Sequence, residues 1–175
     1  MGALMNKKEM EKTLKESLSL EQKGYKWYTE GAEKITNSLG RKMLKRLADD
    51  ELTHIKRIKE IYASLTEGTL SDIKVDPPNL AIFDEIFNRM KNQVDDAIND
   101  LTEVGVDDEE IINVALELES HARFHYEEAA EKATDKVVKD FYTMLAKEEK
   151  SHYDLLVQTN QYMANPSLFF GMGEH

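Results

Sequence analysis

An internal repeat constrains the fold of this chain more than any other feature of its sequence. A shift of 98 positions aligns residues 18–36 with residues 116–134, and the same shift places residues 47–54 on residues 145–152 without a gap. The first pair of segments shares identical residues at the positions numbered, in the first copy, Leu18, Leu20, Glu21, Tyr28, Glu30, Ala32, Glu33, Lys34 and Thr36. Such repetition predicts two related units that pack with approximate two-fold symmetry.

Each unit has the sequence pattern of a helical hairpin. Long windows rich in Glu, Lys, Leu and Ala predict helices over 7–36, 39–65, 107–134 and 136–163, and strand-like alternation is absent. The long segment between the second and third helices contains an amphipathic stretch that predicts a further helix over 80–102. Two tight hairpins joined by a long connection predict an all-α four-helix bundle with one crossover; an up-down bundle would need a short second loop.

The length and hydropathy of the chain predict one domain and no membrane span. With 175 residues, the chain suits a single domain over 1–175 that ends in a short tail. No segment approaches the roughly 20 apolar residues that cross a bilayer, and the first residues form no hydrophobic run of signal-peptide length. We therefore expect a cytoplasmic protein.

Charge and cysteine content exclude several classes of function. The formal net charge of −11 repels phosphate backbones and anionic lipid surfaces, so we expect no nucleic-acid or membrane partner. The absence of cysteine excludes disulfides, zinc fingers, iron–sulfur clusters and thiol nucleophiles. Any chemistry at this chain uses oxygen and nitrogen groups.

Ionisable residues interrupt the apolar stripe of every long helix. The stripes carry these groups near their middles: Glu21, Glu51, His54, Glu119, Glu149 and His152. Tyr25 and Arg123 also fall on the stripes by helical spacing. A buried carboxylate without a partner costs several kcal/mol, and four at one level repel one another. Cations between them would remove this cost.

The six residues match a known ligand pattern. Glu51 and His54 lie one helical turn apart on one face, as do Glu149 and His152. One Glu-x-x-His pair alone is weak support, because either residue is common on a solvated face. Two pairs in register with two further glutamates match the ligand set of ferritin-like di-iron and di-manganese proteins. Oxygen-rich ligation favours iron or manganese, with two ions about 3.5–4 Å apart.

Four residues lie near the ligand level. Tyr28 and Tyr126 are either plain core tyrosines or donors of a hydrogen bond to a ligand carboxylate. Tyr25 and Arg123 either line the site or cap its edge, and Arg123 needs an acceptor that a ligand carboxylate could provide.

Other polar residues near the motifs are expected at the surface. His121 and His125 point away from the Glu119 face, which favours surface histidines over additional ligands. Helical spacing also places four acids on solvated faces: Asp50, Glu117, Glu128 and Glu148. The C-terminal segment "NPSLFFGMGEH" is expected to fold its Leu-Phe-Phe against the bundle or a partner chain.

These motifs resemble the rubrerythrin branch of the ferritin-like superfamily. The resemblance covers nearly the whole chain, from "SLEQKGYKWY" and "LADDELTHIKRI" through the insert "VDPPNLAIFDEIF" to "ALELESHARFHYEEAAEKA", "LAKEEKSHYDLL" and the aromatic tail. It implies a ferritin-like bundle and two iron ions, or manganese or a mixed pair. The implied ligands are Glu21, Glu51, His54, Glu119, Glu149 and His152. Glu51 and Glu149 would bridge the two ions.

The chain departs from well-known rubrerythrins in two respects. It lacks their cysteine-ligated rubredoxin domain, the usual point of electron entry. It also has Ala122 where peroxidase-type members carry an additional glutamate, one turn past the position of Glu119.

The resemblance implies an oxidoreductase that reduces peroxide or dioxygen in oxidative-stress defence, with electrons from a separate donor protein. The alternative is a ferroxidase-like protein for iron storage or delivery, and a third reading is a metal-free bundle with degenerate ligands. We also expect a homodimer, because the crossover helix has apolar residues on more than one face: Leu80, Ile82, Phe83, Ile86, Phe87, Met90, Val94, Ile98 and Leu101.

Overall fold

The computed structural model describes residues 3–91 and 106–170, and within these ranges it is an all-α bundle. A single-turn 3₁₀ helix, Leu70–Asp72, follows the second helix. The α-helices in chain order are α1 Lys7–Lys34, α2 Ser38–Glu67, α3 Phe83–Lys91, α4 Val106–Lys132, α5 Lys136–Ala164 and α6 Ser167–Phe170. The prediction of an all-α four-helix bundle built from two hairpins is confirmed.

Helix α1 pairs with α2, α4 pairs with α5, and the two hairpins meet through α1 with α4 and α2 with α5. The crossover helix was predicted over 80–102. Its described part begins at Phe83 and reaches Lys91, and the remainder of that prediction lies outside the described residues. None of the helices in the described ranges has an apolar stretch long enough to span a bilayer.

Capping residues next to the long helices define where these helices begin and end. Asn6 caps α1 and forms a reciprocal capping box with Glu9, while Asn37 and Asp135 cap α2 and α5 by accepting backbone N–H groups. Helix α2 ends at Gly68, whose φ of 76° lies in the left-handed region that glycine adopts without strain.

The hairpins are also tied together at both ends of the bundle. At one end, the buried carboxylate of Asp108 accepts hydrogen bonds from the backbone N–H groups of Thr36 and Asn37, each at 2.9 Å. At the other end, Met5 donates from its backbone N–H to the carbonyl of Lys132 at 2.8 Å, and its own carbonyl accepts from the Thr134 hydroxyl at 2.9 Å. Each of these two sets of hydrogen bonds joins one hairpin to the connection between the two helices of the other hairpin.

Two apolar clusters fill the bundle. One contains Leu14, Ile58 and Leu145, and the other contains Leu44 and Ile112. The residues that helical spacing places on the stripes of α2 and α5 are all buried: Leu44, Leu47, Glu51, His54, Ile58, Ile61 and Leu65 in α2, and Tyr142, Leu145, Glu149, His152, Leu156, Thr159 and Met163 in α5. The clusters exclude water above and below the level of the ionisable groups.

The stripes of α1 and α4 differ from the prediction. Ser17 and Gly24 are buried in α1 and Ala122 in α4, whereas Tyr25 and Arg123 are only half-buried. The smaller residues take the interior positions because helices that approach closely leave little room between them; a Cβ at Gly31, for example, would lie 3.0 Å from Ile111.

The C-terminal helix α6 packs on the bundle, which was one of the two expectations for the C-terminal segment. The Phe169 ring lies 5.6 Å from the ring of Phe83, 6.0 Å from that of Phe87 and 5.5 Å from that of Tyr162. The same aromatic group anchors the start of the crossover helix, so α3, α5 and α6 share one small cluster.

Candidate metal centre

The four long helices bring the six ionisable residues predicted from their stripes to one level of the interior. Glu21 comes from α1, Glu119 from α4, and the two Glu-x-x-His pairs from α2 and α5. All six side chains are buried, with exposures between 1% and 3%. Burial of four carboxylates at this level requires compensating positive charge.

The six residues form two overlapping groups of ligand atoms. In each group, one atom per residue lies within 4.8 Å of the others. The groups share Glu51 and Glu149. Glu21 and His54 complete the first group, and they come from the first hairpin.

In the second group, Glu119 and His152, from the second hairpin, complete the shared pair. Each hairpin therefore supplies one glutamate and one histidine of its own, together with one of the two shared carboxylates.

Both imidazoles turn Nδ1 toward the centre and Nε2 away from it. His54 Nδ1 lies 3.0 Å from Glu21 Oε2 and 3.0 Å from Glu149 Oε1. His152 Nδ1 lies 3.5 Å from Glu119 Oε2, and the two rings stack with their centroids 5.6 Å apart. Nδ1 is thus the nitrogen available for a cation in both cases.

Unsatisfied polar atoms support the fit of this site to cations. His152 Nδ1 and Glu119 Oε2 are fully buried and have no hydrogen bond of acceptable geometry. Buried polar atoms normally have a partner. Here both atoms face a centre of mixed carboxylate and imidazole groups, which is the donor set that suits iron or manganese.

Two tyrosine hydroxyls hold two of the carboxylates. Tyr28 donates to Glu119 Oε1 at 2.5 Å, and Tyr126 donates to Glu21 Oε1. Each bond crosses from one hairpin to the other. Burial, followed by the charge of nearby carboxylates, raises the pKa of both phenols well above the usual value. Both hydroxyls therefore stay protonated and act as donors, the second of the two alternatives for these residues.

The interpretation of Glu148 and Asp50 as solvated charges was wrong. Glu148 is 3% exposed, and its Oε2 lies 2.5 Å from His54 Nε2. Asp50 is partly buried, with Oδ2 3.3 Å from His152 Nε2. Both acids lie off the predicted apolar stripes of their own helices, and each meets a histidine of the opposite hairpin. The repeat carried a signal for this pair, because the 98-residue shift places Asp50 on Glu148.

Glu148 has two further partners that Asp50 lacks. Its Oε1 accepts from the backbone N–H of Asn79 at 2.6 Å and lies 3.3 Å from Arg57 Nη1. These contacts connect the imidazole of His54 to the segment that enters the crossover. Asp50 is instead paired with Arg46 of its own helix at 3.2 Å.

The remaining neighbours lie at the edge of the site or outside it. Arg123 donates to Glu127 at 2.8 Å on the surface of α4, so its acceptor is not a ligand carboxylate. Tyr25 is half-buried and packs against the cluster that contains Leu44. His121 is exposed, as expected, whereas His125 is half-buried and lies 2.9 Å from Ser17 Oγ. The two other acids, Glu117 and Glu128, are exposed as expected.

The pKa directions show how the centre balances its charge without a cation. Burial, followed by the charge of neighbouring carboxylates, raises the pKa of Glu51 and of Glu119 well above the usual range. Burial opposes the charged form of both histidines, but the surrounding carboxylates outweigh it and raise the pKa of His54 and of His152. Protons therefore occupy the positions that cations would take.

A small cavity reaches the carboxylates from the side of α1 and α4. Its volume is about 20 Å³. Gly24 and Ala122 form part of the wall, and the lining also includes four carboxylates: Glu21, Glu51, Glu119 and Glu149. A space of this size holds roughly one water molecule. Neither His54 nor His152 is among the residues that line this cavity.

The family model described as Rubrerythrin matches residues 12–160. This range contains all six residues of the candidate centre and both hairpins except the first five residues of α1 and the last four of α5. Comparison with curated proteins and with solved structures gives no significant match. Proteins of this family typically bind a di-iron site, and the buried Glu and His groups could hold such a pair. By the match over these residues, the chain belongs to the rubrerythrin family.

Proposed function

We propose that this protein is a di-iron oxidoreductase that reduces hydrogen peroxide or dioxygen with electrons from a separate donor protein. The observation that carries the proposal is the pair of overlapping ligand groups beside a cavity that accommodates only a very small molecule. In this proposal the six residues would hold two iron ions: Glu51 and Glu149 would be shared by both, Glu21 and His54 would complete one ligand group, and Glu119 and His152 would complete the other.

The bound iron pair would supply two electrons and Lewis acidity next to the cavity. The protein contributes the geometry. The Tyr28 and Tyr126 hydroxyls orient Glu119 and Glu21, and the outer carboxylates of Asp50 and Glu148 fix the imidazole rings with Nδ1 inward.

The size of the cavity and the apolar clusters around it support the proposal of a small oxidant. Glycine at position 24 leaves space beside Glu51, since a Cβ there would lie 3.5 Å from Glu51 Cδ. The apolar clusters on both sides keep bulk water from the carboxylates. Because these 175 residues contain no cysteine, we place the electron donor outside them.

The experiment is anaerobic loading with ferrous iron followed by rapid mixing with hydrogen peroxide or dioxygen. We expect fast oxidation by peroxide with two electrons removed per centre, followed by slow return to the ferrous state unless a reductant is added. Slow oxidation that does not depend on peroxide would contradict the proposal. Oxidation mainly by dioxygen, with many iron ions retained per chain, would support iron storage instead.

Variants separate metal binding from access of the oxidant. Glu51→Ala and Glu149→Ala each remove a shared carboxylate and are expected to lose iron in metal analysis. Gly24→Ala is expected to retain iron but to react more slowly with peroxide, because its methyl group fills the cavity. Iron content of the Glu51→Ala and Glu149→Ala proteins equal to that of the wild type would refute the ligand assignment.

A further inference from the structure

A chain of polar and aromatic contacts leads from the candidate centre to the outer surface of α4. Tyr126, whose hydroxyl donates to Glu21, stacks on Tyr142 with ring centroids 5.8 Å apart and an interplanar angle of 25°. The Tyr142 hydroxyl lies 3.2 Å from Ser17 Oγ, and Ser17 Oγ lies 2.9 Å from His125 Nε2. His125 lines an open cleft at the surface.

This chain of contacts exists in only one half of the molecule. The 98-residue shift relates Tyr126 to Tyr28, but it relates Tyr142 to Leu44 and Ser17 to Ala115. The equivalent of His125 is Trp27, whose indole N–H donates to the carbonyl of Ile111 instead. The two tyrosines beside the ligands are therefore alike, but within the described part of the chain a second phenol stacks on Tyr126 and none stacks on Tyr28.

The contacts of Tyr142 would allow its phenol to lose an electron and a proton together. Its ring is buried and stacked on the ring of Tyr126, and its hydroxyl reaches a serine that is also fully buried. The Ser17 hydroxyl donates to the Thr13 carbonyl at 2.8 Å, and the distance of 2.9 Å from Ser17 Oγ to His125 Nε2 would let the same hydroxyl donate to His125 after rotation. Burial lowers the pKa of His125, so its imidazole is neutral at pH 7 and can accept a proton.

We propose that Tyr142 is an auxiliary one-electron donor to the metal centre, with Tyr126 as the electron path and Ser17 and His125 as the proton path. The proposal rests on the function proposed above. It applies when peroxide meets a centre that holds a single ferrous ion, because cleavage of the O–O bond takes two electrons and this ion supplies one.

The reaction balances with one phenol oxidised. Tyr142 gives one electron and becomes a neutral phenoxyl radical, and a bound ferrous ion would supply the other electron that hydrogen peroxide takes up. The phenolic proton passes through Ser17 to His125, giving an imidazolium. Two further protons, taken from the buffered solvent, complete the conversion of the peroxide to two water molecules. An external one-electron reductant then restores the phenol, with return of the proton from His125.

The test uses full-length protein loaded anaerobically with one ferrous ion per chain, mixed with peroxide and frozen for electron paramagnetic resonance. We expect a tyrosyl radical in the wild type, identified by narrowing of the signal when the protein contains ring-deuterated tyrosine. Tyr142→Phe should lower the radical yield several-fold. Ser17→Ala keeps the phenol but removes the proton path, and should lower the yield as well.

Tyr162→Phe is the matched control. Tyr162 is a buried tyrosine of the same helix, but it packs on Phe87 and Phe169 away from the centre. Its replacement should leave the radical yield unchanged, and thermal melting checks that all variants are folded.

Two failures are distinguishable. Iron that stays ferrous in peroxide would overturn the proposed function and this inference with it. Normal oxidation of iron, with no radical or with equal radical yield in wild type and Tyr142→Phe, would overturn the role of Tyr142 alone.

Discussion

At the scale of single residues, the repeat and the helical spacing together identified the six residues that the structure brings together. The outer carboxylates escaped prediction for a physical reason. Helical spacing reports which face of its own helix a residue occupies, and Glu148 lies off the apolar stripe of α5. It is buried because His54 of the other hairpin extends its ring outward to meet it. Contacts of this kind depend on how two helices pack against each other, and the spacing of residues along a single helix does not contain this information.

The outer carboxylates should affect metal affinity without being ligands. Glu148→Gln keeps the shape of the side chain but removes the charge that faces His54 Nε2, so iron affinity should fall about 10–100-fold. Competition with a chelator measures the change. Asp50→Asn should have a smaller effect, because Asp50 is partly exposed and lies farther from its histidine. Glu117→Gln, on the exposed face of α4, is the control, and a loss at Glu117 equal to that at Glu148 would contradict this account.

At the scale of helices, the four long elements lie within about two residues of their predicted ends, because propensity and capping residues both act locally. The stripes of α2 and α5 were also correct. Those of α1 and α4 were displaced toward small residues such as Gly24 and Ala122, which spacing rules based on large apolar residues overlook. The tie formed by Asp108 could not be predicted, since it joins the start of α4 to a joint more than 70 residues earlier.

Removal of this tie should destabilise the packing of the two hairpins. Asp108→Ala leaves the backbone N–H groups of Thr36 and Asn37 without their acceptor, at a cost of about 1–3 kcal/mol in the free energy of unfolding. Urea denaturation of the metal-free protein measures this difference. Asp107→Ala changes an exposed neighbour in the same helical turn and should have little effect. Equal stability of the two variants would show that the tie is energetically neutral.

At the scale of the whole molecule, one layer of carboxylates and imidazoles lies between two apolar clusters. The carboxylates raise the pKa of both centre histidines in the metal-free protein, so the folded state binds more protons than the unfolded state once the pH exceeds about 6.5. Stability due to these histidines is fully present below that pH and is lost as the pH rises through their folded-state values. The raised pKa of Glu51 and of Glu119 acts in the same direction.

The melting temperature of the metal-free protein should therefore fall as the pH is raised from about 6 to about 9. Iron-loaded protein should show a much flatter profile, because bound cations rather than protons then balance the carboxylates. Thermal melts of both forms across this range test the prediction. A metal-free protein that becomes more stable with rising pH would contradict the charge balance described for the centre.

The division of ligands between the hairpins has a consequence for how such a molecule could arise. Each hairpin carries one glutamate, one histidine and one shared carboxylate, so a symmetric pair of identical hairpins would already possess a complete centre. In that ancestor every substitution would appear twice. Fusion of two gene copies into one chain removes this restriction, and the two halves can then diverge. Tyr142 in one half and Leu44 in the other are a difference that a pair of identical hairpins could not carry.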